Sequence, residues 1–211
     1  MTHRDRLIIF ARYPEMGKAK TRLIPALGVE GATTLYRQLA EHTLLQVYQL
    51  QLRHAVCVEV RFAGGTRERM QQWLGQDWIY TEQGEGDLGA RMARSLEVAV
   101  VSGITRTVII GTDCPQLNGA ILESAFQALD QHDLVLGPAT DGGYYLIGLR
   151  RFVPELFVDI PWSTAVVFAQ TVAIAQQLQL AIAVLPTLSD IDYPEDLAIW
   201  YALQQCQSSN P

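Results

Sequence analysis

Short apolar segments alternate with longer segments of helical periodicity along the whole chain of 211 residues. The first apolar segment is 7–11, and the longest helical pattern, 28–52, follows it. Such an alternation predicts a mostly parallel central sheet that is covered by helices on both of its faces. Ligands of such sheets bind beyond the carboxyl ends of the strands, so the residues that follow each strand become the candidates for function.

We predict one α/β domain over residues 1–205, followed by a frayed polar tail over 206–211. No linker rich in Pro, Gly or Ser divides the chain. The strand at 144–149 is the one that could run antiparallel. The predicted strands are 7–11, 55–62, 78–81, 107–110, 134–137, 144–149 and 181–185. The predicted helices are 28–52, 66–74, 88–101, 118–129, 163–178 and 194–205.

The composition is that of a folded protein, since 49% of the residues are hydrophobic and 18% are charged. The net charge is −6, which argues against a protein that binds nucleic acid through many phosphates. Cys57, Cys114 and Cys206 lie far apart and form no Cys-x-x-Cys pair, so neither a disulfide framework nor a thiolate zinc site is expected. We predict a protein of the reducing cytoplasm without a signal peptide.

Residues 160–189 carry no formal charge over a length that could cross a membrane. Two Pro and four Gln residues interrupt this segment. We therefore predict no membrane span here, but a buried helix followed by a buried strand.

The loop after the first strand is basic, although the whole protein is acidic. Residues 1–22 carry six basic and two acidic side chains, and Lys18 and Lys20 are the only lysines of the chain. A cationic loop at the carboxyl end of a strand is suited to hold phosphates, and Arg22 could grip two oxygens at once. The alternative is a solvated surface loop. The P-loop pattern is absent, because no glycine stands five residues before Gly17.

Acidic side chains follow two other predicted strands. Asp113 comes soon after the strand 107–110, where a carboxylate can bind Mg²⁺ or Mn²⁺. A turn or helix-cap role is the alternative for Asp113. Asp190 and Asp192 alternate after the strand 181–185, so both side chains would face one side of an extended segment. One of these two is a candidate second metal ligand.

Two glycine-rich segments could bring the backbone close to a ligand. Residues 84–89 open a predicted helix and could receive a flat base or an anionic group, with an ordinary turn as the alternative. Asp141 stands before Gly142 and Gly143. Its carboxylate is a candidate general base or acceptor-binding group, and a simple turn role is the alternative.

Six short motifs occur in a fixed order along nearly the whole chain. They are Pro14-x-x-Gly17-Lys18-x-Lys20-Thr21-Arg22-Leu23, Gln83-x-x-x-Asp87-Leu88-Gly89-x-Arg91-Met92, Gly111-Thr112-Asp113-Cys114-Pro115, Gly137-Pro138-Ala139-x-Asp141-Gly142-Gly143-Tyr144-Tyr145, Trp162-Ser163-Thr164, and Asp190-x-Asp192-x-Pro194-x-Asp196-Leu197. This order resembles the glycosyltransferase-like family associated with arsenosugar biosynthesis. That family is similar to 2-phospholactate guanylyltransferase and, more distantly, to molybdenum-cofactor guanylyltransferases and sugar-nucleotide pyrophosphorylases.

The resemblance implies a single-domain GT-A-like fold, the fold of nucleotide-diphospho-sugar transferases, and it implies roles for individual residues. The basic loop would hold the nucleotide phosphates, and the second motif would line the nucleobase pocket. The nucleotide-binding residues are then Gly17, Lys18, Lys20, Arg22, Gln83, Leu88 and Gly89. The metal ligands are Asp113, with Asp192 or Asp190. The predicted catalytic residues are Asp141, Lys20 and Arg22.

These observations predict a transferase that depends on Mg²⁺ or Mn²⁺ and moves a sugar from a nucleotide sugar to a small acceptor. The first alternative is a guanylyltransferase-like nucleotidyltransferase, which would join a nucleoside triphosphate to a small phosphorylated substrate and release pyrophosphate. The second is a non-catalytic nucleotide-binding module. Such a module would explain why Cys114 and Pro115 follow Asp113, where glycosyltransferases of this fold usually have Asp-x-Asp.

Overall fold

The structure is a computed structural model that describes the backbone of residues 4–208 and the side chains of residues 4–205. Within this range seven strands form one sheet in the order β3-β2-β1-β4-β6-β5-β7. The strands are β1 (Asp5–Arg12), β2 (Cys57–Ala63), β3 (Ile79–Glu82), β4 (Arg106–Ile110), β5 (Leu134–Pro138), β6 (Tyr144–Leu149) and β7 (Ile182–Val184). The helices are α1 (Ile24–Gln51), α2 (Arg67–Leu74), α3 (Leu88–Val101), α4 (Gly119–Ala128), α5 (Val167–Gln177) and α6 (Leu197–Ser208).

Strand β6 runs antiparallel to both of its neighbours, β4 and β5. The other neighbouring pairs of the sheet are parallel. The predicted mostly parallel sheet is confirmed, and so is the antiparallel course that the sequence allowed for 144–149. As a result, the carboxyl ends of β1, β4 and β5 and the amino end of β6 lie at one edge of the sheet.

Helices cover both faces of the sheet, as predicted. On one face α1, α2 and α4 contribute Val47, Met70 and Phe126 to a buried cluster with the strands. On the other face α3 and α5 contribute Leu96 and Ala175 to a second buried cluster. Full burial of a large apolar side chain stabilises a fold by about 1.5–3 kcal/mol. The two clusters therefore fix the strands, and with them the residues at the edge where the strands end.

A third buried cluster joins the first half of α1 to the start of α6. Leu23 and Leu39 pack there with Ile191, Leu197 and Trp200. Leu23 directly follows the basic loop, and Ile191 stands between the two acidic residues of the last motif. This apolar packing therefore holds the basic and the acidic segments side by side.

Besides small shifts at the ends of several elements, three features differ from the sequence prediction. Helix α1 begins at Ile24, before the predicted start, and it is kinked at Gly28, where φ is 70°. Helix α5 begins only at Val167, and the predicted first residue, Ser163, has a left-handed φ of 65° that a helix cannot contain. The predicted strand at 181–185 is present as β7, but the prediction that this strand is buried is wrong. Strand β7 is the edge strand beside β5, and Val184 is 58% exposed.

Between residues 4 and 208, no helix combines the length and the apolarity that crossing a bilayer requires. Helix α6 extends to Ser208, and residues 209–211 lie outside the described residues. A single domain that ends in a frayed tail over 206–211 therefore stays a prediction.

Gly148 occupies a position in β6 where a methyl group has no room. A Cβ atom there would lie 2.5 Å from Val135 Cγ1 and 3.1 Å from Val108 Cγ2. We expect Gly148→Ala to lower the free energy of unfolding by about 1–3 kcal/mol, because these buried neighbours must shift. Gly111→Ala is the matched control, since no atom lies within 4 Å of its added Cβ. Equal losses in the two variants, measured by urea denaturation, would contradict this prediction.

Candidate active site

A cavity of about 650 Å³ opens at the edge of the sheet where β1, β4 and β5 end. Arg12 is the last residue of β1, Asp113 follows β4, and Ala139 follows β5; all three line the cavity. Tyr144 lines it from the amino end of the antiparallel β6. The cavity lies where an open α/β sheet binds its ligands.

Lys20 has an unusual backbone conformation, and its amine is buried in this cavity. Lys20 has φ 48° and ψ 45°, the left-handed region, and it directly precedes the short 3₁₀ helix Thr21–Leu23. This conformation costs a residue with a side chain about 1–2 kcal/mol. The Lys20 side chain is only 5% exposed. The fold therefore holds a strained, buried lysine, which requires compensating interactions.

Two carboxylates supply that compensation. Lys20 Nζ lies 2.7 Å from Asp113 Oδ1 and 2.9 Å from Asp192 Oδ1. Burial alone would lower the pKa of the Lys20 ammonium, but the charges of Asp113 and Asp192 outweigh it and raise the pKa. Lys20 is therefore a charged cation at neutral pH. It bridges the segment after β4 and the segment before α6.

Arg22 also lines the cavity and binds the same acidic segment. Its Nη1 atom donates to Asp192 Oδ2 over 3.0 Å, and its guanidinium carbon lies 5.0 Å from the centre of the Tyr193 ring. Asp192 thus contacts Lys20 through one oxygen and Arg22 through the other. The backbone N–H groups of Asp192 and Tyr193 both donate to Asp196 Oδ2, which fixes the segment.

Asp190 also lines the cavity, together with Asp192, as the alternation in the sequence predicted. The pKa of the Asp190 carboxyl is raised to about 6, first by burial and then by the negative charge of Asp141, with a smaller contribution from Asp192. The charged form of a carboxylate whose pKa is raised in this way is stabilised by any cation that enters beside it.

Asp113 and Asp192 already converge on one cation, the Lys20 ammonium. Within the part of the chain that the structure describes, no three His, Cys, Asp or Glu side chains are grouped closely enough to hold a metal by themselves. Mg²⁺ is commonly bound by one or two carboxylates together with substrate phosphates and water. The two carboxylates therefore fit a Mg²⁺ or Mn²⁺ ion that binds together with a nucleotide.

The first half of the basic loop lies at the rim of the cavity. Lys18 Nζ forms an ion pair with the Glu15 carboxylate, and the Lys18 side chain is 65% exposed. Lys18 lines the cavity, but Gly17 does not. Gly17 has a φ of 73°, so it allows the loop to turn. The structure therefore brings Lys18, Lys20 and Arg22 to the cavity and leaves Gly17 in a supporting position.

Gln83 lines the cavity, but its amide is already bound by the protein. Its Nε2 atom donates to the carbonyl oxygens of Ala11 at 3.1 Å and Arg61 at 3.0 Å. Its Oε1 atom accepts from Arg91 Nη1 at 3.2 Å. Gln83 is buried and ties the ends of β1 and β2 to α3. These bonds position the wall of the cavity.

Gly89 supports the cavity wall indirectly. A Cβ atom on Gly89 would lie 2.4 Å from Trp162 Nε1, so the absence of a side chain gives the indole its place. Trp162 lines the cavity with Leu88, whereas Gly89 does not. The Trp162 ring meets the Tyr144 ring edge to face, with centroids 6.3 Å apart. This part of the cavity therefore offers aromatic and apolar surfaces, which suit a flat base.

Asp141 lies in the loop between β5 and β6 and lines the cavity. Its Oδ1 atom accepts a hydrogen bond of 2.8 Å from the Gly143 N–H, so the carboxylate is fixed by a turn, which was the alternative role. Gly142 has a φ of 89°, and a Cβ atom there would lie 2.1 Å from the Ala165 carbonyl oxygen. The loop of Asp141 is therefore packed closely against the segment before α5.

Sequence reasoning gave no role to several residues of this site. Arg12 was counted only as a basic residue, and Trp162 only as part of a motif. Tyr36 gave no signal at all, because it fits the helical pattern of α1. Its hydroxyl accepts a 2.7 Å hydrogen bond from the Arg12 N–H, and its pKa is raised to about 12 by burial and by the Asp113 charge. Cys114 is buried, and burial raises the pKa of its thiol, so it is no ready nucleophile.

Residues 44–164 match a protein family described as uncharacterized proteins conserved in bacteria, DUF2064. This match covers more than half of the chain. The chain belongs to the DUF2064 family. A comparison of this DUF2064 protein with curated proteins found no match.

Solved structures share the fold of this DUF2064 protein. A protein of Desulfovibrio desulfuricans G20, provisionally described as a nucleotide-diphospho-sugar transferase, has 33% identity and a TM-score of 0.83, over 91% of this chain and 84% of that chain. A CMP:2-keto-3-deoxy-manno-octonic acid synthetase complexed with CTP has 16% identity and a TM-score of 0.57, over 96% and 99%. Glucosyl-3-phosphoglycerate synthase of Mycobacterium tuberculosis, solved with Mn²⁺, has 13% identity and a TM-score of 0.57, over 92% and 74%.

These likenesses confirm the predicted fold. It is the α/β fold of nucleotide-diphospho-sugar transferases, with a mostly parallel central sheet between helices. The structural neighbours include a synthetase solved with CTP and a synthase solved with uridine diphosphate. Another neighbour is an inositol-1-phosphate CTP transferase. The predicted class, a nucleotide-dependent transferase of the GT-A-like superfamily, agrees with them.

The raised pKa of Asp190 gives a pH-dependent stability prediction. The carboxyl has a pKa of about 6 in the folded protein and 3.8 as an ordinary group, so its ionisation destabilises the fold as the pH rises through 6. Without metal, we expect Asp190→Asn to be more stable than the wild type above pH 6, by about 1 kcal/mol after solvent screening. This gain should vanish below pH 4.

Thermal unfolding in EDTA between pH 4 and pH 8 measures this effect. Asp77→Asn is the matched control, because Asp77 is exposed and lies outside the cavity. A gain that is the same at all pH values, or that appears equally in Asp77→Asn, would contradict the assignment.

Proposed function

We propose that this DUF2064 protein is a metal-dependent glycosyltransferase that moves a sugar from a nucleotide sugar to a small acceptor. One observation carries the proposal. Lys20 Nζ stands between Asp113 and Asp192 in a cavity at the carboxyl ends of the strands. The same cavity thus brings together carboxylates that can bind a divalent cation and basic groups that can bind phosphates.

The donor nucleotide would bind along the basic loop. Lys18, Lys20 and Arg22, joined by Arg12, would contact its phosphates, and all four line the cavity. The base would lie against Leu88 and the indole of Trp162, for which Gly89 leaves room. Gln83 would keep this wall of the cavity in place, and Gly17 would allow the basic loop to turn. Positively charged groups here would stabilise the negative charge that develops on the departing nucleoside diphosphate.

Asp113 and Asp192 would hold the divalent cation, and Asp190, which lines the same cavity, is the alternative to Asp192. When bound, Mg²⁺ or Mn²⁺ supplies additional stabilisation of charge on the diphosphate leaving group. Lys20 would then give up its carboxylate partners and become available to a phosphate oxygen. Mn²⁺ and uridine diphosphate are the pair present in the glucosyl-3-phosphoglycerate synthase of the same fold.

Asp141 would act on the acceptor. Its carboxylate would orient an acceptor hydroxyl and take the proton from it, while that oxygen forms a bond to the anomeric carbon of the sugar. The bond from the anomeric carbon to the phosphate oxygen breaks, and its electron pair leaves with the nucleoside diphosphate. The hydrogen bond from Gly143 to Oδ1 fixes the direction of this carboxylate.

Nucleotidyl transfer is the second candidate, and the number of basic groups favours it. Four basic side chains line the cavity, which could serve a triphosphate. Release of pyrophosphate instead of a nucleoside diphosphate would identify this reaction. The resemblance to 2-phospholactate guanylyltransferase supports this second candidate.

A link to arsenosugar biosynthesis and a cytoplasmic location are further parts of what we propose for this protein.

The exchange of Lys20 for a metal ion can be tested without turnover. We expect Lys20→Met to bind Mn²⁺ roughly tenfold more tightly than the wild type in the absence of nucleotide, a difference of about 1.4 kcal/mol. The reason is that the ion no longer competes with an ammonium for Asp113 and Asp192. Calorimetric titration with Mn²⁺ gives the affinity, and Mn²⁺ should also restore thermal stability to this variant.

Lys18→Met is the matched control, because Lys18 contacts Glu15 and not the two aspartates. Thermal shifts with nucleoside triphosphates, diphosphates and nucleotide sugars, with and without Mn²⁺, complete the experiment. A Mn²⁺-dependent shift with a nucleotide sugar that is lost in Asp113→Ala supports the proposed function. If no nucleotide shifts the melting temperature, the proposed function is wrong. If Lys20→Met and Lys18→Met bind Mn²⁺ equally, the exchange is wrong.

The role of Asp141 predicts a separation of binding from turnover. Asp141→Asn should reduce sugar transfer by roughly 10²–10⁴-fold, the usual contribution of a general base, and leave donor binding within about twofold. Transfer is measured as nucleoside diphosphate release, and donor binding as the thermal shift. Asp77→Asn again serves as the control. Turnover of Asp141→Asn at the wild-type rate would end this assignment.

A further inference from the structure

A second cavity of about 320 Å³ adjoins the first. The two share much of their lining, so a molecule in the second cavity would lie beside the nucleotide site. The shared residues are Arg22, Asp141, Ser163, Thr164, Asp190 and Asp192. Because the proposed general base Asp141 belongs to this set, the second cavity is where an acceptor would sit if the proposed function holds.

The charge of this second cavity differs from that of the first. Its lining includes four aspartates, while Arg22 is the one basic side chain among the described residues that line it. The fourth aspartate is Asp196, whose carboxylate accepts two backbone hydrogen bonds. Lys18 and Lys20 line the first cavity only. The basic groups therefore serve the donor side, and the acceptor side is acidic.

Arg22 is engaged on this wall by other groups. It donates to Asp192 at 3.0 Å and lies over the ring of Tyr193 at 5.0 Å. Asp192 is already paired with Lys20 and Arg22, so it adds no unpaired negative charge to this wall. Asp141, Asp190 and Asp196 still outnumber Arg22 on the acceptor side.

The uncharged part of the lining consists of hydroxyl-bearing residues. Thr140, Ser163 and Thr164 contribute hydroxyls, and Tyr193 contributes a phenol. Hydroxyls can donate to or accept from the hydroxyl groups of a ligand. Carboxylates accept from ligand hydroxyl or ammonium groups, and their negative charge repels phosphate.

We propose that the acceptor is a polyhydroxyl molecule without phosphate, neutral or carrying an amine. This inference rests on the proposed function and narrows its substrate class. It also separates the two candidate reactions, since a nucleotidyltransferase of the alternative kind needs a phosphorylated substrate. The carboxylates of the acidic wall would repel the phosphate of such a substrate.

Paired probes test the inference directly. Ligand-observed NMR with Mg²⁺ and uridine diphosphate present would compare glucose with glucose 6-phosphate, glucosamine with glucosamine 6-phosphate, and glycerol with glycerol 3-phosphate. We expect each unphosphorylated member that binds to do so at least tenfold more tightly than its phosphate ester. Preference for the phosphate esters, or no distinction within any pair, would overturn the inference.

A charge variant tests the cause of the preference. Thr140→Lys places an ammonium in the second cavity and should tighten binding of the phosphate esters at least fivefold. Thr34→Lys carries the same substitution on an exposed position of α1 outside both cavities, and it should change nothing. Equal effects of the two variants would overturn the role of the acidic wall. Nucleotide binding is read separately from the thermal shift, so a failure of the proposed function is recognised on its own.

Discussion

The ion pairs of one buried lysine organise the functional edge of this protein. Lys20 connects residues that lie 93 and 172 positions further along the chain, Asp113 and Asp192, within one cavity. A lysine with 5% exposure is stable only when carboxylates surround its charge, and those carboxylates in turn repel one another without it. The site is thus balanced electrostatically before any ligand binds. A metal ion at Asp113 and Asp192, or a phosphate at Lys20, would have to replace one partner of these ion pairs.

Apolar packing makes this balance possible. Leu23 and Ile191 are buried in the same cluster. Leu23 follows Arg22 directly, and Ile191 stands between Asp190 and Asp192. The sheet fixes Asp113 independently, because the core buries β4 on both faces. Loss of a methylene group in the third cluster would therefore alter the distance between the basic and the acidic segments without touching a functional side chain.

The sequence supports the sheet and the location of the site, because strand ends are readable from apolar segments and turn residues. Asp113, Asp190 and Asp192 were expected together for that reason, and they line one cavity. Side-chain direction could not be read in the same way. Lys20 was expected to be open to phosphate, yet its left-handed backbone and its two ion pairs place it among carboxylates. Gly89 was expected in the pocket, but its role depends on Trp162, 73 positions away.

Trp162 and Ser163 are adjacent in the chain, yet only Ser163 lines both cavities. The indole lines the cavity assigned to the nucleotide, and Ser163 lines the cavity assigned to the acceptor as well. One peptide unit therefore joins the two binding surfaces. If the proposed function holds, a nucleotide against the indole and an acceptor beside Ser163 would therefore contact consecutive residues of one short segment.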